Sequence, residues 1–111
     1  MEASYSVVKG VGVIHVSGQF GYSDEKRLSE MVDALASDGA PVIAVDTTRL
    51  DYVNSLGVGS FFSMMRRADE LNCEFVVYGM NPNVLMVLEK VFEKEMVPLL
   101  TVEDFNSKYL T

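Results

Sequence analysis

Residues 41–60, P-V-I-A-V-D-T-T-R-L-D-Y-V-N-S-L-G-V-G-S, lead from an apolar run into the start of a helical pattern. The apolar residues at 41–46 predict a strand that is covered on both faces. From about Ser55 to Leu71, apolar residues recur at helical spacing and predict a helix. Its predicted core-facing residues are Val58, Phe61, Met65 and Ala68. The stretch between strand and helix lies where α/β proteins commonly place functional groups.

The rest of the chain carries patterns of the same two kinds. They predict two short strands or a hairpin within Tyr5–Ser17, strands at 74–79 and 96–100, and helices starting after Ser23, after Asn81 and at Val102. An initial pair of strands followed by alternating helices and strands predicts an α/β fold. We expect a mainly parallel mixed sheet of about five strands with about four helices packed against it. The 111 residues suit one domain over residues 1–111.

Residues at the start of the first and third predicted helices indicate how these helices are capped. Ser23 is predicted to cap the first helix, with Asp24 and Glu25 in its first turn, and Asn81 is predicted to cap the third helix ahead of Pro82. The residues predicted to face the core are Leu28, Met31, Val32 and Leu35 in the first helix and Leu85, Leu88 and Phe92 in the third.

Composition narrows the classes of function. The formal charge is −7, from 16 acidic and nine basic residues, which argues against nucleic-acid binding and favours a partner with a basic surface. The single cysteine, Cys73, allows no internal disulfide and is predicted to be a small buried hydrophobe. The N-terminus lacks the pattern of a signal peptide, and no apolar run reaches the ~20 residues that span a bilayer. We therefore expect a cytoplasmic protein without membrane insertion.

Two kinds of function have weak support in the sequence: hydrolysis by a nucleophilic serine, and phosphorylation of an aspartate as in phospho-aspartate receiver domains. A nucleophile elbow at Ser55 needs a glycine on each side at a distance of two residues, but Val53 occupies the first of these positions. The single histidine, His15, lies in a predicted strand and is interpreted as an ordinary strand residue. Asp46 ends an apolar strand as a phospho-acceptor aspartate would, but G-Q-F-G-Y at 18–22 lacks the acidic pair of such receivers. Asp46 is therefore predicted to be a turn residue that accepts hydrogen bonds from local amides.

Nucleotide-binding and metal-binding sites also have weak support in the sequence. The glycines at 57 and 59 are not followed by the lysine of a phosphate-binding loop, and Phe62 occupies the third glycine position of a dinucleotide motif. One histidine, one cysteine and scattered carboxylates form no ligand cluster, so no metal or cofactor is expected. Two interpretations of Ser55 remain. The serine accepts a phosphate at the positive end of the helix dipole, or Asn54 or Ser55 merely caps the helix.

The segment Y-V-N-S-L-G-V-G at 52–59 resembles the signature F-[IM]-D-S-x-G-[LI]-G of STAS domains, the family of anti-sigma factor antagonists and sulfate-transporter tails. The resemblance covers nearly the whole chain. V-S-G-Q-F at 16–20 is similar to the family's L-x-G-E-L, and P-V-I-A-V-D-T-T-R-L-D at 41–51 to the strand before the motif. C-E-F-V-V-Y-G-M-N-P-N-V at 73–84 and V-P-L-L-T-V-E-D-F at 97–105 are similar to the elements after it.

The resemblance implies a regulatory protein without catalytic activity. In antagonist members, an anti-sigma factor serine kinase phosphorylates the serine of the motif, which is Ser55 here. The unphosphorylated domain would bind that kinase, phosphorylation would block binding, and a phosphatase of the same pathway would restore it. The implied partner-binding residues are Gln19, Tyr22, Asn54, Ser55, Leu56, Gly57, Gly59 and Ser60.

Three positions depart from the pattern of antagonists. Asn54 stands in place of the motif's aspartate, Leu56 where a small residue is common, and Gly21 where antagonists often carry an acidic residue. A second interpretation therefore stays open. The domain would be an interaction subunit that is not phosphorylated, in a scaffold or in a lipid-transport ATP-binding cassette complex. Its contact patch would be Leu56, Met64 and the exposed side of the helix at 55–71.

Overall fold

The computed structural model describes residues 1–92 and 96–111. Its five strands are β1 (Glu2–Val8), β2 (Val11–Ser17), β3 (Val42–Arg49), β4 (Glu74–Tyr78) and β5 (Leu99–Leu100). Its four helices are α1 (Asp24–Ser37), α2 (Ser55–Glu70), α3 (Pro82–Val91) and α4 (Val102–Tyr109). None of the helices in these described residues is long and apolar enough to cross a membrane.

The five strands form one mixed sheet in the order β1-β2-β3-β4-β5. β1 and β2 form the predicted hairpin and are antiparallel, while the other three pairings are parallel. The hairpin turns at Lys9 and Gly10, whose φ values of 51° and 81° match the twist of the flanking strands. The predicted α/β fold is confirmed.

The sheet separates two cores. One face packs against α1, α2 and α3 through side chains such as Ile14, Ile43 and Val77. Because side chains alternate along a strand, the neighbouring residues Val13, Ala44 and Val76 face the other side, where α4 covers them with Phe105. The Phe105 ring stacks on Tyr78 with 3.9 Å between ring centroids.

Several element boundaries differ from the sequence prediction. β1 begins at Glu2 rather than near Tyr5, and β5 has only two residues instead of the predicted 96–100. β3 continues to Arg49, so Asp46 lies within a strand and not in a turn. Cys73 is only half-buried, because it follows the turn at the end of α2 instead of lying inside the sheet.

In two helices some of the residues predicted to face the core are replaced in that role by a neighbour. In α2, Met64 is fully buried beside Phe61 and Ala68, whereas the predicted Val58 and Met65 are half-buried. In α3, Val84 is buried in place of the predicted Leu85, while the predicted burial of Leu88 and Phe92 is confirmed.

Because β2 and β3 are parallel, the loops that follow them emerge at the same edge of the sheet. The loop after β2 contains residues 18–23, and the loop after β3 contains residues 50–54. The start of α2 therefore lies beside the loop that leads into α1, and the site described next forms between them.

Candidate functional site

Asn54 caps the first turn of α2. Its backbone is extended, with φ −86° and ψ 180°, and its side-chain Oδ1 accepts a hydrogen bond of 2.8 Å from the N–H of Gly57. The Asn54 carbonyl accepts the first intrahelical bond, from Val58 N–H at 3.0 Å. One side chain thus satisfies a donor that the helix leaves free, so Asn54 rather than Ser55 caps the helix.

The same asparagine fixes the loop after β2. Its amide Nδ2 donates to the carbonyl oxygen of Phe20 at 3.0 Å. An aspartate at this position would retain the capping oxygen, but as a carboxylate it has no hydrogen to donate to that carbonyl. The departure of Asn54 from the signature aspartate therefore has a structural consequence, because it joins residues 34 positions apart in the sequence.

Gly57 makes room for the loop to pack against the helix. A β-carbon at this position would lie 2.7 Å from the Phe20 ring and 2.8 Å from a methyl group of Val53. Both neighbours are buried, so neither can move aside without a cost. Gly57 therefore serves internal packing and does not keep an approach open for a partner.

Ser55 is the first helical residue of α2 and is exposed to solvent. Since the Gly57 N–H is taken by Asn54, the N–H groups of Ser55 and Leu56 are the two in the first turn that helix geometry leaves free. Among the hydrogen bonds of residues 1–92 and 96–111, none involves the Ser55 hydroxyl. The hydroxyl is therefore accessible and plays no part in capping.

The start of α1 completes the site from the other side. Ser23 is the N-cap residue by position, but its side chain makes no capping hydrogen bond, so the predicted role of its hydroxyl is wrong. Instead, the buried Asp24 carboxylate accepts a 2.6 Å bond from Gly21 N–H and pairs with Arg27 at 3.7 Å. The Asp24 carboxylate, and not the Ser23 hydroxyl, therefore fixes the backbone of the loop before α1.

The two helices are also joined directly. Glu25 of α1 accepts a hydrogen bond from Ser63 of α2, and Asp33 pairs with Arg67 two turns further along α1. Asp24 and Glu25 were missed as site residues from the sequence, where they were assigned only to a helix start. A signal was present, since two acidic residues directly follow the loop that contains the predicted partner-binding residues Gln19 and Tyr22.

The predicted site residues fall into three classes by exposure. Gln19, Tyr22 and Ser55 are exposed, and the Tyr22 side chain is 91% exposed. Asn54, Leu56 and Gly59 are half-buried. We call the surface that these three residues form with Gln19, Tyr22 and Ser55 the rim. Gly57 and Ser60 are buried. The Ser60 hydroxyl donates to the carbonyl of Leu56 at 3.1 Å, so direct contact between a partner and either buried residue is not available in this conformation.

The contact patch of the second interpretation needs a correction. Met64 is fully buried, because it faces the sheet rather than solvent. Phe62 is half-buried, with its ring 5.3 Å from that of Phe92. Leu56 and the outward side of α2 are therefore what remains of the predicted patch.

Comparison with known proteins places this arrangement in a family. The family model described as Mlab, STAS domain matches residues 4–96, which include most of β1, all of β2, β3 and β4, the Asn54 cap and Ser55. The chain belongs to the STAS domain family. The predicted resemblance is confirmed over most of its length.

Solved structures share the fold of this STAS domain at low sequence identity. An anti-sigma factor antagonist from Mycobacterium paratuberculosis has a TM-score of 0.78 and 18% identity, over 99% of this chain and 94% of that one. RsbS from Moorella thermoacetica, solved as a variant, has a TM-score of 0.79 and 17% identity, over 99% and 96%. The Bacillus cell fate determinant SpoIIAA in its phosphorylated form has a TM-score of 0.69 and 17% identity, over 96% and 98%.

The search of curated proteins finds no match to this STAS domain. At identities of 17–18%, the structural likeness establishes the fold.

Proposed function

We propose that this STAS domain is an anti-sigma factor antagonist that is switched by phosphorylation of Ser55. Unphosphorylated, it binds an anti-sigma factor serine kinase through the surface formed by Gln19, Tyr22, Ser55 and Leu56. Phosphorylated, it is released, and a phosphatase of the same pathway restores binding. We place this cycle in the cytoplasm and assign it to one domain over residues 1–111.

The observation that carries the proposal is that Ser55 is exposed while Asn54 does the capping. A serine at the start of a helix is commonly explained by capping, and that explanation is not needed here. Structures of the same fold are described as anti-sigma factor antagonists, and one of them is described as phosphorylated. Both facts support a modifiable serine at this position.

The local electrostatics favour a phosphate on Ser55. The free N–H groups of Ser55 and Leu56 and the helix dipole can together stabilise an anion, typically by about 0.3–1 kcal/mol at an exposed site. The modification adds about −1.5 to −2 charges at pH 7. A partner that recognises the neutral hydroxyl would then meet a bulky anion on a rim that already carries Glu25. Release follows without any need to unfold α2.

Buried Gly57 and Ser60 have supporting roles in this proposal. Gly57 lets Phe20 pack against α2, and the Ser60 hydroxyl bonds within the helix. They shape the rim on which Gln19, Tyr22 and Leu56 are displayed. Substituting them would change binding through the shape of that rim and not through lost contacts.

The test is phosphorylation of the intact domain by an anti-sigma factor kinase from the same genomic neighbourhood, with ATP and read-out by intact mass and peptide mapping. We expect one phosphate, on Ser55, and none in Ser55→Ala. The matched control is Ser23→Ala, because Ser23 is also an exposed serine at a helix start with no capping bond. Ser23→Ala should be phosphorylated like the unaltered domain. A phosphate that persists in Ser55→Ala would contradict the proposal.

Binding gives the second half of the test. Ser55→Ala should bind the kinase whether or not ATP is present, and Ser55→Asp should bind at least about tenfold more weakly, a difference of about 1.4 kcal/mol. If both variants bind equally well, Ser55 does not act as a switch even if it is phosphorylated.

A second function has its own support. The departures from the antagonist pattern at Asn54, Leu56 and Gly21 favour an interaction subunit that is not phosphorylated, in a scaffold or a lipid-transport ATP-binding cassette complex. In that case Leu56 and the outward side of α2 contact the partner. Copurification from native extract with an ATPase, together with the absence of phosphate on Ser55, would support this function over the first.

A further inference from the structure

A chain of three polar side chains crosses β1, β2 and β3 on the face of the sheet that α4 only partly covers. The Oγ of Ser6 lies 3.2 Å from Nε2 of His15, and Nδ1 of His15 lies 2.8 Å from Oδ2 of Asp46. The strand register brings the three together, since His15 pairs with Asp46 across the parallel ladder and Ser6 lies diagonally opposite on β1. His15 is thus more than the ordinary strand residue that its sequence context suggested.

The ionisation of Asp46 fixes which nitrogen of His15 carries a proton. Burial opposes ionisation of Asp46, but hydrogen bonds from the Thr48 hydroxyl and N–H, at 2.7 and 2.9 Å, and the contact with His15 outweigh it and lower the pKa of Asp46. An ionised carboxylate can only accept hydrogen bonds. The proton of the neutral imidazole therefore lies on Nδ1, and the lone pair of Nε2 faces the Ser6 hydroxyl.

The surroundings leave Ser6 open to a small molecule. Ser6 is exposed on the edge strand, and the His15 side chain keeps 43% of its surface in solvent. On the other side of His15 the sheet forms an open hollow of about 500 Å³, whose lining includes Glu2, Ser4, His15, Asp46 and Arg49 but not Ser6. A hydroxyl, a base and a carboxylate in this order form the arrangement that activates serine in unrelated hydrolases.

We propose that Ser6 is a nucleophilic serine that accepts an acyl group from activated esters, with His15 as its general base and Asp46 as the residue that positions His15. The Ser6 oxygen forms a bond to the acyl carbon, and the bond from that carbon to the leaving oxygen breaks. The hydroxyl proton passes to Nε2 of His15 and from there to the leaving oxygen. The product is an acylated Ser6 and an alcohol or phenol, and Ser55 takes no part.

The donor class follows from what the geometry supplies. The side chains provide a nucleophile and a base, whereas hydrolases gain much of their rate from preorganised donors to the developing oxyanion. An aryl ester needs less of that help, because its phenolate is a good leaving group. We therefore assign the site to activated acyl donors and to covalent acylation, not to repeated turnover of ordinary esters.

The test uses the full chain and p-nitrophenyl acetate. We expect a burst of about one equivalent of p-nitrophenolate, with one acetyl group mapped to Ser6 by peptide mass analysis. Ser6→Ala should lose the burst, and His15→Gln should slow it by roughly 100-fold or more, the usual contribution of a general base. A burst that persists in Ser6→Ala would show that another group is the acceptor and would overturn the proposal.

Ser37 offers a control, because it is an exposed serine at the end of α1 that does not line the hollow. Ser37→Ala should keep the burst within about twofold of the unaltered rate, because the hydrogen bond to Nε2 comes from Ser6. Equal circular dichroism spectra and unfolding midpoints for Ser37→Ala, Ser6→Ala and His15→Gln would show that all three variants fold. Acetylation of Ser6 that is unchanged in folded His15→Gln would also overturn the proposal.

A pH profile separates base catalysis from a purely structural role. Base catalysis by His15 should make the rate of acetylation depend on pH, and this dependence should vanish in His15→Gln. The charged groups that face His15 are Asp46 on β3 and, around the hollow, Glu2 and Arg49. In Asp46→Asn the plateau of the profile should fall, since an amide can donate to Nδ1 and select the other tautomer. A flat profile for the unaltered protein would contradict the role of His15.

Discussion

The starts of α2 and α3 use the same asparagine cap with different residues behind it. Asn54 Oδ1 accepts from Gly57 N–H, and Asn81 Oδ1 accepts from Val84 N–H, each at 2.8 Å. Both asparagines have extended backbones at the N-cap position. The two helix starts are therefore equivalent in capping.

Both asparagines also hold a neighbouring loop through the amide nitrogen. Nδ2 of Asn54 donates to the carbonyl of Phe20, while Nδ2 of Asn81 donates to the carbonyls of Leu50 and Asp51 at 3.1 and 3.0 Å. Asn54 thus ties the loop after β2 to α2, and Asn81 ties the loop after β3 to α3. Together they hold the two loops that frame Ser55.

The residues after each cap show what the two helix starts are for. In α3, Pro82 has neither a hydroxyl nor an N–H, and the side chain of Val84 is fully buried in the core. In α2, Ser55 offers a free hydroxyl, and Gly57 leaves space for Phe20. Since α3 is capped well without a serine, Ser55 is not required for capping, and this supports a functional role for it.

Among the residues that distinguish the start of α2 from the start of α3, Gly57 is the one whose substitution should change the unfolding free energy most. Gly57→Ala places a methyl group 2.7 Å from the Phe20 ring, and overpacking of this kind costs about 1–3 kcal/mol of unfolding free energy. The matched control is Gly59→Ala, whose methyl group would meet only Glu25, at 3.8 Å, among residues 1–92 and 96–111. That variant should be neutral or more stable by up to about 1 kcal/mol, from helix propensity. Urea unfolding measures both, and equal effects would mean that Phe20 does not depend on Gly57.

An intermediate effect is expected when each asparagine becomes aspartate. The carboxylate keeps the capping oxygen and gains about 0.3–1 kcal/mol from the helix dipole. It loses the amide donor, which serves one carbonyl at Asn54 and two at Asn81. We expect Asn81→Asp to lose about 1 kcal/mol more than Asn54→Asp. Asn→Ala at each site is the control, and should cost about 1 kcal/mol or more because the cap is lost as well. A larger loss for Asn54→Asp would contradict this account.

Much of the fold was predictable because its signals are local. The alternation of strands and helices, the Asn81 cap before Pro82 and the start of α2 all lie within short segments of sequence. The residues of α2 and α3 that face the core were harder to predict, because apolar residues occur there in adjacent pairs such as Met64 and Met65. A spacing of 3.6 residues fits either member of such a pair, and only the packing against the sheet decides between them.

The site was predictable only in part, for a related reason. Ser55 at the start of α2 follows from local pattern, but the bond from Asn54 to Phe20 joins residues 34 positions apart. His15 and Asp46 are 31 positions apart and meet through the register of two parallel strands. Neither contact has a signal in the spacing of the residues. The burial of Gly57 is also a long-range effect, since it depends on where Phe20 packs.

The smallest effect on stability is expected at Ser55. Ser55→Ala removes an exposed hydroxyl that does no capping and should change the unfolding free energy by less than about 0.5 kcal/mol. Ser55→Asp should be slightly more stable, by about 0.3–1 kcal/mol, because it adds a negative charge in the first turn of α2. Urea unfolding of the unaltered domain and both variants in parallel checks the order. A loss of more than 1 kcal/mol in Ser55→Ala would make the serine a structural residue and remove the contrast with Pro82. With the expected order, a kinase that distinguishes the two variants is responding to the surface at Ser55, since both remain as well folded as the unaltered domain.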